Sequence, residues 1–311
     1  MEILIQLFLL GAGFFLLVKG ADWFVDGACN IAARFHIPQL IIGLTIVAMG
    51  TSAPEAAVSI TAASKGVADI TIGNIVGSNI MNVLVILGLS AAIIPLKVAK
   101  STIRVEIPFM IAMTVLLFVL GLDGAITFTD GLILTAFFLL YLGYLMYSAR
   151  KNPADSEEEA ARPMQLWQAI AALLIGLGCI LLGSDVAVDA ATALARIFGL
   201  SERLIGLTIV ALGTSLPELV TSITAARKGS ADIAIGNIVG SNIFNILFVV
   251  GLSSLLIPVP FAHAFLSDAI VAIFAAVFLL VACLRNHKLG RGAGLLMPGT
   301  YAAYLLVLTM L

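Results

Sequence analysis

Charge is what this chain has least of. Only 11% of its 311 residues are Asp, Glu, Lys or Arg, and the formal net charge is −2. Such a chain carries no basic stripe with which to hold a nucleic-acid backbone. Cysteine is nearly absent too. Cys29, Cys179 and Cys283 stand alone, which excludes a disulfide framework and any cysteine-based metal site. The histidines His36, His263 and His287 fall near the ends of apolar runs, no nucleophile is set beside a base, and no phosphate loop occurs. These gaps leave no enzyme constellation and no resident cofactor.

What fills the space is apolar. Hydrophobic residues make up 61% of the chain and the mean hydropathy is +1.14, far from soluble usage. About twenty apolar residues cross a bilayer as a helix. Runs of that kind occur at 3–20, 39–64, 70–95, 103–122, 127–148, 165–184, 203–227, 233–258, 265–284 and 294–311. The expectation is an all-α integral membrane protein with ten transmembrane helices. The first run has Glu2 instead of a basic start and an internal counterpart at 165–184, so it reads as a retained span and not a cleaved signal. One stretch is plainly aqueous: RKNPADSEEEAARP, residues 150–163, with two prolines, mixed charge and the Glu157–Glu159 run. It reads as a solvated linker, since a calcium-sensing loop would need a regular acidic spacing around a turn glycine. The chain thus divides into 1–149, the linker, and 164–311.

The two halves repeat each other. Residues 43–96 read GLTIVAMGTSAPEAAVSITAASKGVADITIGNIVGSNIMNVLVILGLSAAIIPL, and residues 206–259 read GLTIVALGTSLPELVTSITAARKGSADIAIGNIVGSNIFNILFVVGLSSLLIPV. The offset is 163 throughout, without a gap, and about two-thirds of the positions are identical. Gly13, Gly20, Asp22, Val25, Asp26, Ala32 and Phe35 match Gly176, Gly183, Asp185, Val188, Asp189, Ala195 and Phe198 at the same offset. Five spans per half is an odd number, so the second half must enter the membrane from the opposite side. The prediction is two inverted five-helix repeats forming one bundle, an architecture that places sites near the bilayer midplane between the repeats.

Basic residues orient the bundle. Arg34, Lys97, Lys100, Arg104, Arg150, Lys151, Arg162, Arg227, Lys228, Arg285, Lys288 and Arg291 fall on one side, against Lys65, Arg196 and Arg203 on the other. That bias predicts a cytoplasmic linker and both termini outside.

The chemistry must come from the few polar groups kept inside the membrane. Gly50-Thr51-Ser52-Ala53-Pro54-Glu55 interrupts the second run, and Gly213-Thr214-Ser215-Leu216-Pro217-Glu218 the seventh. Pro54 cannot donate to the carbonyl of Gly50, nor Pro217 to that of Gly213, so helices 2 and 7 must break there. Freed carbonyls within a membrane need a partner, and a cation can be one. Threonine and serine hydroxyls add oxygens, and Glu55 and Glu218 add oxygens with charge. Neither span supplies a cation to pair with its glutamate, and an intramembrane carboxylate is functional by default. An all-oxygen donor set suits calcium, magnesium or sodium better than zinc or copper.

The third and eighth runs supply a facing wall. Each holds a GxxxG spacing, Gly73 to Gly77 and Gly236 to Gly240, which permits close helix packing. Ser78 and Asn82 share a helical face, as do Ser241 and Asn245. The asparagines have a rival reading as interhelical hydrogen-bonding groups. The pairs Asp22/Asp26 and Asp185/Asp189 read as capping or surface-pairing groups near the interface. Lys19 reads as snorkelling or paired with Asp22.

At this point the chain resembles the calcium/cation antiporter superfamily, in its prokaryotic sodium/calcium exchanger branch. The resemblance rests on the paired signatures GTSAPE…GNIVGSNIMN and GTSLPE…GNIVGSNIFN and extends over essentially the whole chain. It implies alternating-access exchange of calcium for sodium across a prokaryotic inner membrane, with the bilayer and the two ions as partners and no obligatory protein partner. It further implies ion coordination by Glu55 and Glu218, by the hydroxyls of Thr51, Ser52, Thr214, Ser215, Ser78 and Ser241, by the carbonyls of Ala48 and Ala211, and by Asn82 and Asn245. The first and sixth spans are implied to slide across the bundle to switch access. The chain departs from relatives that carry aspartate at one of the positions of Asn82 and Asn245. Its site offers two negative charges, which neutralise one calcium or two sodium ions. Three functions stay in view: sodium/calcium antiport, calcium/proton antiport through the same glutamates, and a passive cation channel. The four kink hydroxyls lean towards sodium, and the inverted repeat leans away from a channel.

Overall fold

The computed structural model describes residues 2–151, 163–199, 211–284 and 286–310. The described residues are mostly helical: α1 (Glu2–Phe35), α2 (Gln39–Thr51), α3 (Ala53–Ser64), α4 (Ile70–Ile93), α5 (Thr102–Asp123), α6 (Phe128–Lys151), α7 (Leu166–Ile197), α8 (Ala211–Thr214), α9 (Leu216–Arg227), α10 (Ala231–Leu256), α11 (Ala264–Leu284) and α12 (Arg291–Met310). Among the described residues seven helices are long and apolar enough to cross a membrane, and the bent pair α2–α3 makes an eighth. Of the other two expected crossings, the seventh begins at 203–210, outside the described residues. The tenth corresponds to α12, which carries Pro298 inside it. Most of the expected linker, 152–162, also lies outside them.

α4 and α10 form the centre. The apolar windows of these two are 78% and 94% buried, against 17% for α1 and 28% for α7, so the other helices wrap them. α1 and α7 lie against each other along a seam of small residues. A Cβ on Gly20 would sit 2.8 Å from the Gly176 carbonyl oxygen, and one on Gly176 would sit 2.5 Å from the Phe24 nitrogen. Backbone contact that close requires glycine. At 34 residues, α1 is about 51 Å long, well beyond the ~30 Å hydrocarbon core. The expected span end near residue 20 is therefore no helix end, and Asp22 and Asp26 project from the continuing helix.

Two-residue ladders tie the ends of the bundle. Leu96 and Lys97 pair with Leu289 and Lys288, and Ala125 and Ile126 pair with Pro260 and Val259. The first ladder joins the C-terminal end of α4 to that of α11, and the second joins that of α5 to that of α10. The turn after α3, with Lys65, and the turn after α9, with Lys228, consequently lie at opposite ends of the bundle. Both turns close identically: Gly66 (φ +77°) and Gly229 (φ +84°) take the left-handed conformation that ends a helix.

The helical ladder widens to i→i+5 at Gly43–Val47, Asn82–Leu87, Thr102–Glu106 and Asn245–Val250. Such turns gather at functional positions because they shift side chains out of regular register. Two of the four begin at Asn82 and Asn245, within the central pair.

Candidate cation-binding site

Both predicted breaks are present. α2 ends at Thr51, α3 starts at Ala53, and the two diverge by 52° at Ser52. α8 ends at Thr214 and α9 starts at Leu216, around Ser215. Each proline sits in the first turn of the restarting helix, where its missing N–H costs nothing. Each glutamate follows one residue later, in the first turn, where the helix dipole favours a negative group.

The structure brings the two breaks together. Ser52 Oγ, from the first break, donates to Glu218 Oε1, beyond the second, at 2.9 Å. Glu55 and Glu218 are both fully buried, at 1% and 0% exposure. Behind each glutamate an asparagine holds the helix. Asn74 Nδ2 donates to the Glu55 carbonyl (3.3 Å) and Ser59 Oγ (3.0 Å), while Asn237 Nδ2 donates to the Glu218 carbonyl (3.4 Å) and Ser222 Oγ (3.0 Å). Crosswise packing completes the arrangement: the widened turn beginning at Asn82 packs against α9, and that beginning at Asn245 packs against α3.

Of the buried oxygens without a hydrogen-bond partner among the described residues, six belong to the breaks, their glutamates and the widened turns at Asn82 and Asn245: Glu55 Oε1 and Oε2, Glu218 Oε2, Ser215 Oγ, Asn82 Oδ1 and Asn245 Oδ1. Leaving a buried polar group unpaired costs about 1–3 kcal/mol, and more for an ionised one. Five acceptor oxygens and one hydroxyl, none hydrogen-bonded among the described residues, form a poor interior for a protein and a good one for a hard cation, which needs about six oxygens.

The remaining candidates divide. Thr51 is buried with its Oγ1 2.9 Å from Asn237 Oδ1, whereas Thr214 is half-buried and lines a cavity. Ser241 Oγ reaches the Ala48 carbonyl at 3.4 Å, and Ser78 is buried. The Ala48 carbonyl is not freed: it still accepts the Ser52 N–H at 3.0 Å, because the donor that proline removes belongs to the Gly50 carbonyl. Ala211 opens α8. The Gly213 carbonyl, which Pro217 releases, accepts the hydroxyl of Ser184 on α7 at 2.9 Å, so a side chain and not a cation satisfies it. Asn82 and Asn245 are interhelical hydrogen-bonding groups, as the rival reading expected, and they still present an oxygen. Their amide nitrogens bond across the helices while their oxygens stay unpartnered.

Sequence reasoning passed over Asn74, Asn237, Asn79, Asn242, Ser59 and Ser222, all part of this network. All six repeat at the 163-residue offset as polar groups inside apolar runs, and that signal could have found them.

The sodium/calcium exchanger protein family pattern matches residues 5–147 and again residues 168–310, two matches separated by the same 163 residues as the repeat. The chain belongs to the sodium/calcium exchanger family, in the prokaryotic branch of the calcium/cation antiporters. It is 39% identical to inner membrane protein YrbG of Escherichia coli over 311 residues, covering 96% of this chain and 95% of that one. It is 31% identical to sodium/calcium exchanger MaX1 of Methanosarcina acetivorans over 350 residues, covering 98% and 99%. Its fold superposes on the sodium-calcium exchanger NCX_Mj, from crystals soaked with zero Na⁺ and Ca²⁺, with a TM-score of 0.86 and 32% identity over 98% and 99% of the two chains. This exchanger-family chain is thus an all-α membrane protein of a family that exchanges cations, and the buried oxygens lie where its two repeats meet.

Proposed function

We infer that this protein is a secondary active antiporter exchanging Ca²⁺ for Na⁺ by alternating access at the site between its two repeats. The observation that carries the reading is the set of six unpartnered buried oxygens, two of whose residues are carboxylates with no cationic partner among the described residues. Glu55 and Glu218 supply the charge, Asn82, Asn245 and Ser215 supply neutral oxygens, and Thr51, Ser52, Thr214, Ser78, Ser241 and the carbonyls of Ala48 and Ala211 complete the shells as ions enter and leave. Two carboxylates neutralise one calcium or two sodium ions, so the loaded states compete for one charge balance. The protein is then a carrier and not an enzyme.

The proposed architecture is ten spans in two inverted five-helix repeats, 1–149 and 164–311, joined by the linker 150–163. The opposite placement of the Lys65 and Lys228 turns supports that inversion. The charge bias puts the linker in the cytoplasm and both termini outside the inner membrane of a prokaryote.

Calcium/proton antiport is the second reading, supported by the same two buried carboxylates, which could carry protons between the same access states. Radioactive calcium uptake into proteoliposomes, with sodium and proton gradients imposed separately, tests the choice. Uptake driven by an outward sodium gradient and indifferent to pH is expected. Uptake driven by a proton gradient alone would overturn sodium coupling, and equal flux without any gradient would point to a channel.

A further inference from the structure

The four asparagines at the crossing of α4 and α10 form a closed, two-fold hydrogen-bond circuit. Asn79 Nδ2 donates to the Asn242 carbonyl oxygen at 3.2 Å, and Asn242 Nδ2 donates to the Asn79 carbonyl oxygen at 3.1 Å. The side-chain oxygens of this pair are then free to accept. Asn242 Oδ1 takes the amide of Asn82 at 3.0 Å, and Asn79 Oδ1 takes the amide of Asn245 at 3.2 Å. All four residues are at most 5% exposed. Each helix thus reaches across and holds the site-facing asparagine of the other half by its nitrogen. What is left over is Asn82 Oδ1 and Asn245 Oδ1, both buried and unpartnered among the described residues.

The circuit has one consistent orientation. Turning the Asn245 carboxamide would set its oxygen against Asn79 Oδ1, two acceptors with no proton between them. Turning Asn79 to compensate would set its oxygen against the Asn242 carbonyl oxygen, again two acceptors with no proton between them. The outer pair therefore dictates which atom the inner pair presents. It also dictates what chemical group can stand there, because positions 82 and 245 must each donate a hydrogen.

We propose that Asn79 and Asn242 are positioning and specificity-determining residues that hold the site at two negative charges, by admitting a hydrogen-donating carboxamide and refusing an ionised carboxylate at positions 245 and 82. This rests on the reading of Glu55, Glu218, Asn82 and Asn245 as one cation site. An aspartate at 245 can satisfy Asn79 Oδ1 only by keeping its proton, so it adds no charge at neutral pH. Replacing Asn79 with serine supplies a hydroxyl that can donate, and the carboxylate ionises.

The test is calcium binding to the purified full chain, measured by calorimetry across pH, a readout that does not depend on the coupling ion. Asn245→Asp alone is expected to bind calcium about threefold more weakly at neutral pH, a protonated carboxyl being a poorer oxygen donor than a carboxamide, and to tighten with rising pH more steeply than the unaltered protein, in which Glu55 and Glu218 are the only site carboxyls. Asn79→Ser with Asn245→Asp is expected to bind about tenfold tighter already at neutral pH, the effect of one more carboxylate beside a divalent ion. Asn242→Ser with Asn82→Asp is the mirror-image pair and should behave alike, which keeps the test open if one double variant fails to fold. A purely structural role for Asn79 would lower affinity in every variant that alters it and leave the steepness of the pH profile that of the unaltered protein. Full tightening in Asn245→Asp alone, or single and double variants that titrate alike, would overturn the proposal. Absence of calcium binding by the unaltered protein would overturn the site reading together with it.

Discussion

The two ends of the bundle are written in the same residues and built differently. At one end Lys228, in the turn after α9, bonds Asp26 Oδ1 at 2.6 Å and the Asp22 carbonyl at 2.8 Å, and it lies 3.6 Å from Asp22 Oδ1. α1 packs directly on α9 there, and Asp22 and Asp26 are half-buried. At the other end the counterparts at the 163-residue offset are Lys65, Asp185 and Asp189. All three are exposed, and no ion pair joins them among the described residues. Instead of packing there is a cavity of about 570 Å³ between α7 and the break of α2–α3, lined by Ala53, Pro54, Ser184, Asp185, Gly213 and Thr214 among others. Near-identical sequences in different packings are what a carrier with two access states requires. Under the proposed alternating access each end holds the contacts of one state, and α1 and α7, packed closely along their glycine seam, shift as a pair. In this structure the Lys65 end is open towards the breaks and the Lys228 end is shut.

The carboxylates stand between the ends, and replacing them gives the largest expected effect. Glu55→Gln and Glu218→Gln should each lower coupled calcium uptake at least about 100-fold, equivalent to about 2.7 kcal/mol. The two losses should be similar although only Glu218 accepts a serine hydroxyl here. Near-normal flux in either variant would detach that glutamate from the site. The difference between the ends is tested next, with single cysteines in a background in which Cys29, Cys179 and Cys283 are replaced. A cysteine at the cavity-lining position Thr214 should react with a membrane-impermeant thiol reagent at least about tenfold faster than one at the fully buried Thr51. Equal rates would mean that the two ends are open equally often.

The sequence carried the breaks and the glutamates because proline and an unpaired intramembrane carboxylate are local signals that neighbours do not change. It carried the repeat because offset identity needs no structure. The asymmetry was not legible, since it depends on which helices touch. Lys19 and Asp22 are close in sequence, yet Asp22 meets Lys228, some two hundred residues away. Ser184 corresponds to Ala21 at the repeat offset, so nothing in the repeat pointed to a hydroxyl on the Gly213 carbonyl. Asn79 and Asn242 sit beside the GxxxG spacing, and there the packing reading of the glycines concealed a polar circuit. The glycine reading itself holds for Gly236 and Gly240, whose added Cβ atoms would fall 2.8 Å and 2.7 Å from backbone oxygens of α2.

The smallest effects concern the lysines, and their sizes follow from exposure. Lys228 and its aspartates are about a quarter to a third exposed in their side chains. Such an ion pair is worth about 0.2–1 kcal/mol. Lys228→Ala should therefore shift the balance towards opening at its own end by no more than about fivefold, read as faster labelling of the cysteine at Thr51 and slower labelling of that at Thr214. Raising salt in the unaltered protein should move both rates in the same directions, because screening weakens the same pair. Lys65→Ala supplies the contrast. Lys65 is exposed and makes no ion pair among the described residues in this state, so its loss should alter stability and both labelling rates by no more than about 0.5 kcal/mol. A Lys65→Ala effect as large as that of Lys228→Ala, with labelling at Thr214 raised, would show that the mirror-image pair with Asp185 and Asp189 forms when the molecule turns over. It would make the two ends alternating versions of one latch, whereas silence at Lys65 would leave the Lys228 contact peculiar to its own end.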